Sequence, residues 1–222
     1  MSRGAGRAAL AVASLLAACG GGSKGGGTGP CTPGPATQLL KNGGDAQPWY
    51  FNNPLPAVMS VKALDANNCA VPGVVVNWTV ASGGGGVSPA QSTTNASGVA
   101  STTDSVGSST PQTVHATPAI NTLPTVTFSA TAAAPPTSGA VSVKDNFFQP
   151  NDLAVQAGST VTWTWAGATS HTLTFTSGPA PLPAETPAQM SGSRAIAFTA
   201  VGTYSYHCTI HSGMDGTLHV VH

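Results

Sequence analysis

From about Cys31 to the end, apolar and polar residues alternate in short runs broken by Gly, Pro, Asn and Asp, and no stretch has a helical period. In "VVVNWTV" the alternation sets Val74, Val76, Trp78 and Val80 on one face, as a half-buried strand requires. Further strands are predicted over residues 58–63, 99–103, 113–116 and 126–130, between the turn-rich segments "DANN", "GGGG" and "NASG". After "TAAAPPTSG" the signal resumes in "AVSVK", "DLAVQ", "TVTWTW", "HTLTF", "AIAFT", "GTYSYHC" and "GTLHVV". Val161, Trp163 and Trp165 share one face, Ile196 with Phe198 and Leu218 with Val220 repeat the pattern, and Tyr204 and Tyr206 share the inward parity of Cys208. The fold class is therefore all-β, two β-sandwich domains in tandem over residues 31–133 and 140–222. A Pro-containing linker, 134–139, joins them; its paired prolines predict a stiff connection and a second module that moves semi-independently.

The N-terminus carries a different signal. Arg3 and Arg7 precede the apolar run "AALAVASLLAAC", the n- and h-regions of a secretory signal over residues 1–18 and too short to span a bilayer. "LAAC" resembles the lipobox of bacterial lipoproteins, which implies cleavage before Cys19 and lipidation of Cys19. A Gly-rich tether, 19–30, follows. The expected location is that of an exported bacterial lipoprotein, membrane-anchored and facing the periplasm or cell surface.

Seven basic residues balance seven acidic ones among 222 residues. Losing Arg3 and Arg7 with the signal leaves five against seven, so no broad field favours nucleic acid or an acidic partner. Of the four cysteines, Cys19 is the lipid site and Cys208 lies in a ligand-rich stretch. That leaves Cys31 and Cys69 as a disulfide in an oxidising compartment, against the alternative of two free thiols. No paired-carboxylate, Ser/His/Asp or phosphate-loop pattern points to a hydrolase or kinase.

The chemistry concentrates in "YSYHCTIHSGM", with the spacing Cys208-x2-His211-x2-Met214. Thiolate, imidazole and thioether are a soft donor set, which selects copper over hard cations, while zinc sites seldom use methionine. A trigonal His2Cys site with a weak axial Met needs a second histidine, and "SHTLTF" supplies His171 at the start of a strand. Met190 lacks the spacing to compete with Met214. Thr172 and Thr209 follow ligand positions, so their hydroxyl or N–H groups are placed to link the two ligand segments and tune the Cys208 sulfur. His207 precedes Cys208 and turns outward, either as a solvated strand residue or as part of an electron-exit surface with His211. His115, His219 and His222 read as surface residues.

"VKDNFFQPNDLAVQAGSTVTWTW", "SHTLTF" and "GTYSYHCTIHSGMDGTLHV" resemble, in this order, the plastocyanin/azurin family of blue copper proteins, the cupredoxins. The resemblance implies an eight-stranded Greek-key sandwich, one copper ion cycling between Cu(I) and Cu(II), and the ligands His171, Cys208, His211 and Met214. The two-residue gap between His211 and Met214 is similar to the short loop of amicyanins. Ile210 and Ser212 stand where many relatives carry a proline beside the second histidine, and Thr172 where the family often has Asn. In the first module, "VKALDANNCAVPGVVVNWTVASGGGG", "TTNASGVAST" and "TVTFSATA" resemble bacterial immunoglobulin-like domains of the group 1, invasin and intimin type, whose members serve as spacers or adhesion modules.

The leading expectation is a membrane-anchored type 1 copper electron carrier, not an enzyme. It would shuttle one electron between transient extracytoplasmic redox proteins, with the immunoglobulin-like domain as spacer and no small-molecule substrate. Four protein ligands leave no open position for substrate chemistry. Two alternatives are a copper-binding or delivery protein and a surface adhesin with an accessory copper domain.

Overall fold

The computed structural model describes residues 31–222, and its regular elements are strands. The signal peptide, the lipidation site at Cys19 and the Gly-rich tether lie outside the described residues. Among the described residues no helix is long and apolar enough to cross a membrane.

Nine strands build the first sandwich: β1 (Gln38–Gly43), β2 (Gln47–Tyr50), β3 (Met59–Leu64), β4 (Val75–Ser82), β5 (Gly85–Ser88), β6 (Gln91–Thr93), β7 (Val99–Val106), β8 (Gln112–Pro118) and β9 (Val126–Ala133). They form two sheets, β1-β3-β7-β5 and β2-β9-β8-β4-β6. The alternation in sequence is the alternation in burial: β7 and β8 bury every second residue, and Val76, Trp78, Val114, Ala116 and Phe128 meet in one core. Trp78 is buried without leaving its indole N–H unpaired, because Nε1 donates to Ser92 Oγ at 2.8 Å. Val80 is partly buried against the same cluster.

The second sandwich comprises β10 (Ser138–Lys144), β11 (Phe147–Gln149), β12 (Asp152–Gln156), β13 (Ser159–Trp165), β14 (His171–Ser177), β15 (Thr186–Gln189), β16 (Gly192–Phe198), β17 (Gly202–His207) and β18 (Asp215–Val221). Its sheets are β11-β10-β13-β16 and β12-β18-β17-β14-β15. β10 runs parallel to β13 and β12 parallel to β18, while the site strands β14, β17 and β18 are antiparallel neighbours. Trp163, at 0% exposure, packs its ring edge-on against Phe175 and Tyr206, and Leu218 and Val220 fill the same core. The apolar interior thus includes Leu173 and Tyr206, beside the start of β14, where His171 lies, and the end of β17, which Cys208 follows.

Ser138 and Gly139, placed in the linker on sequence grounds, already pair with Thr160 and Val161 of β13, so residues 134–137 alone separate β9 from β10. Gly139 permits this pairing: a Cβ there would come within 2.7 Å of the Leu153 side chain. The sandwiches also touch directly, which the expectation of semi-independent movement left out. Asn53 Oδ1 accepts the His222 N–H at 2.8 Å, Asn53 Nδ2 donates to the His222 carbonyl at 3.4 Å, and Trp49 meets His219 edge-on at 5.9 Å.

Candidate metal centre

β17 ends at His207 and β18 begins at Asp215, which are paired across the ladder, so residues 208–214 form the loop that closes this hairpin. The Cys208 N–H donates to the Met214 carbonyl at 3.0 Å and the Met214 N–H to the His211 carbonyl at 3.4 Å. Gly213 takes φ +76°, a left-handed turn that glycine adopts without strain. The short loop therefore returns on itself and carries Cys208, His211 and Met214 within seven residues.

β14 brings the fourth residue. Its pairing with β17, Thr174 opposite His207, runs His171 and Thr172 alongside the loop. The Trp165 indole N–H donates to the His171 carbonyl at 2.9 Å, anchoring the backbone where the strand starts. His171 is wholly buried, Cys208 and Met214 nearly so, and His211 half-buried with an edge toward solvent.

Ligand atoms of His171, Cys208 and His211 all lie within 4.8 Å of one another. Cys208 Sγ is 3.6 Å from His211 Nδ1 and 3.9 Å from His171 Nδ1, and the two rings are 4.6 Å apart between centroids. One ion fits such spans, given metal–sulfur and metal–nitrogen bonds of about 2.3 and 2.0 Å. Burial alone would push the Cys208 thiol up. The N–H groups of Thr172 and Ile210 and the imidazoles of His211 and His171 outweigh it and hold the thiol down at about 6. The thiolate, the form that binds metal, is thus favoured at neutral pH. The buried thioether of Met214 completes a soft set, and His171, Cys208, His211 and Met214 together are typical of a type 1 copper centre.

Thr172 and Thr209 stand where the ligand segments meet. The Thr172 N–H points at Cys208 Sγ at 3.4 Å, and its hydroxyl lies 3.8 Å from that sulfur. The same hydroxyl accepts the Thr209 N–H at 2.8 Å and contacts the Thr209 hydroxyl at 3.0 Å. His207 lines the shallow surface depression over Cys208 and His211, flanked by Ile210, which is 49% exposed. Met190 is 54% exposed against 1% for Met214. Cys208 is the free cysteine of the described residues, whereas Cys31 and Cys69 are each disulfide-bonded.

Sequence reading did not find Asp145, between β10 and β11. Its carboxylate accepts N–H bonds from Ala168 and Thr169 and the Thr169 hydroxyl bond, and these hold it well below the usual carboxylate range. Its Oδ1 also lies 3.3 Å from His171 Nε2. Nothing in the local pattern of "VKDNFF" announces this, because the partner loop is 23 or more residues away.

Residues 118–220 match the family model of the cupredoxin-like domain. Amicyanin-alpha of Methylorubrum extorquens is 38% identical over 102 residues, covering 40% of this chain and 86% of that protein. Among solved structures, a reduced amicyanin variant is 31% identical, covering 38% of this chain and 82% of its own, with a TM-score of 0.34. Oxidised plastocyanin from Dryopteris crassirhizoma is 29% identical, covering 37% and 99%, with a TM-score of 0.33. Through this amicyanin-like C-terminal domain, the chain belongs to the cupredoxin family.

Proposed function

We propose that the protein is a membrane-anchored type 1 copper electron carrier. It passes one electron at a time between extracytoplasmic redox proteins and catalyses no reaction of its own. The observation that carries this reading is the convergence of three soft ligand atoms within 4.8 Å of one another beside buried Met214, on the start of β14 and on the loop that closes the β17–β18 hairpin. Copper, when bound, supplies the one-electron Cu(I)/Cu(II) couple.

The chain's own residues do the rest. His171, Cys208, His211 and Met214 hold the ion, and the Thr172–Thr209 hydrogen bonds keep the two ligand segments in fixed relation. A donor set held this way reorganises little when charge changes. His211, half-buried beside exposed Ile210, offers the shortest route from the centre to a docked partner. The contact is small and carries few charges, in keeping with a transient electron-transfer encounter.

The anchor rests on the "LAAC" lipobox at Cys19, and the location facing the periplasm or cell surface follows from it. The first sandwich, similar to bacterial immunoglobulin-like domains, acts as a spacer over residues 31–133. A Cys31–Cys69 bridge would staple its start to one of its loops.

Voltammetry of the copper-loaded chain tests the carrier role. Repeated reversible cycles with copper retained in both states are expected. Stoichiometric copper loss at each reduction would replace the carrier by a delivery protein.

A further inference from the structure

His171 has two ring nitrogens with separate surroundings. Nδ1 faces Cys208 Sγ, whereas Nε2 faces away, toward Asp145 Oδ1 at 3.3 Å and Thr169 Oγ1 at 3.1 Å. The Thr169 hydroxyl gives its proton to Asp145 Oδ1 at 2.8 Å, so at Nε2 it can only accept. Both neighbours of Nε2 are therefore acceptors. The proton belongs on Nε2, and Nδ1 keeps its lone pair directed at the centre.

The contact is built, not incidental. Asp145 takes the Ala168 N–H on both oxygens, at 2.9 and 3.0 Å, and the Thr169 N–H at 2.9 Å, so its carboxylate organises the loop that delivers His171. Gly167 lets that loop come close, since a Cβ there would meet Asp145 Oδ1 at 2.5 Å and the Asp145 nitrogen at 2.9 Å.

We propose that Asp145 is a positioning residue for the metal centre: it fixes the Nε2–H tautomer of His171, strengthens Nδ1 as a donor, and favours the more highly charged Cu(II) state over Cu(I). The physical basis is the carboxylate–histidine–metal relay, in which a hydrogen bond to the remote ring nitrogen orients the ring and raises its basicity. The inference rests on the copper reading above.

The test uses the full chain and its Asp145→Asn and Asp145→Ala variants. Asparagine keeps an acceptor oxygen for the loop and removes the charge, so it isolates the electrostatic part. Expected for Asp145→Asn is a loop and fold unchanged by circular dichroism and a preference for Cu(II) over Cu(I) reduced about tenfold. That is an upward shift in potential of about 59 mV for a one-electron couple. Asp145→Ala should weaken Cu(II) binding in copper titrations about ten- to a hundredfold.

Nitrogen-15 NMR of the copper-free protein gives a reading independent of the metal: a single Nε2–H tautomer of His171 in the parent, and a mixture in Asp145→Ala. Folded variants with the parent's potential, copper affinity and tautomer would overturn the proposal while the thiolate–copper band of each still supports the copper reading. A parent protein lacking that band would overturn both. If Asp145→Ala does not fold, the potential of Asp145→Asn and the parent's tautomer decide the matter.

Discussion

Thr172 holds two parts of the centre with one hydroxyl. It is buried, its Oγ1 accepts the Thr209 N–H, and its own N–H points at the Cys208 sulfur. Thr172→Ala would strand a half-buried N–H and remove one restraint between the ligand segments. It is expected to cost about 1–2 kcal/mol in thermal unfolding and to shift the reduction potential, with Thr172→Ser restoring both. Unchanged stability and an unchanged potential in Thr172→Ala would contradict the linking role. The positions of Thr172 and Thr209 were legible in sequence because each follows a ligand and the ligand strands had to converge. Asp145 and the Trp165 indole were not. Asp145 reaches His171 through a hairpin turn 26 residues away, and the parity that marks Trp165 as core says nothing of its N–H donating to the His171 carbonyl.

At the level of strands, the residues that alternate cleanly are those the fold buries on one side. β3, β4, β7, β8 and β9 of the first sandwich, and β10, β12, β13, β14, β16, β17 and β18 of the second, follow the runs read from sequence. β1, β2, β5, β6, β11 and β15 do not. β1 is an edge strand with a single buried residue, β5 opens on two glycines, and β6 and β11 have three residues each, too short for periodicity to register. Close packing beneath the ligand loop was equally hidden. Gly216, two residues past Met214, lies under the Tyr206 ring, where a Cβ would approach the ring carbon Cζ to 2.3 Å.

A cross-link between β7 and β8 carries a pH dependence. Asp104 and Gln112 are fully buried; Gln112 Nε2 donates to Asp104 Oδ1 at 2.6 Å, and Asp104 Oδ2 has no partner. Burial raises the Asp104 carboxyl from 3.8 to about 6. The folded chain then holds a proton that the unfolded chain releases, so this contribution to stability is complete below pH 3.8 and is lost as pH rises to and through about 6. The unfolding midpoint of the first sandwich should fall over that window, and Asp104→Asn should flatten the profile there. A slope as steep in Asp104→Asn as in the parent would assign it to another group.

On the scale of the whole molecule, the first sandwich contacts the copper-domain strand β18 near its C-terminal end, through the Asn53–His222 hydrogen bonds and the Trp49–His219 contact, while the ligand loop precedes the start of that strand. One end of β18 thus meets the first sandwich and the other the ligand loop that carries half-buried His211. The paired prolines predict a stiff connection, but the clasp was not legible in sequence, since neither Asn53 nor His222 has any pattern that sets it apart from a surface residue.

The central claim is that His171, Cys208, His211 and Met214 bind copper as a type 1 centre. The most direct test is the optical and paramagnetic-resonance spectrum of the Cu(II)-loaded full chain beside its Cys208→Ser variant. An intense blue thiolate-to-Cu(II) band and a narrow copper hyperfine splitting, both abolished in Cys208→Ser, are expected. Weak absorption and an ordinary wide splitting, the same in both proteins, would contradict it.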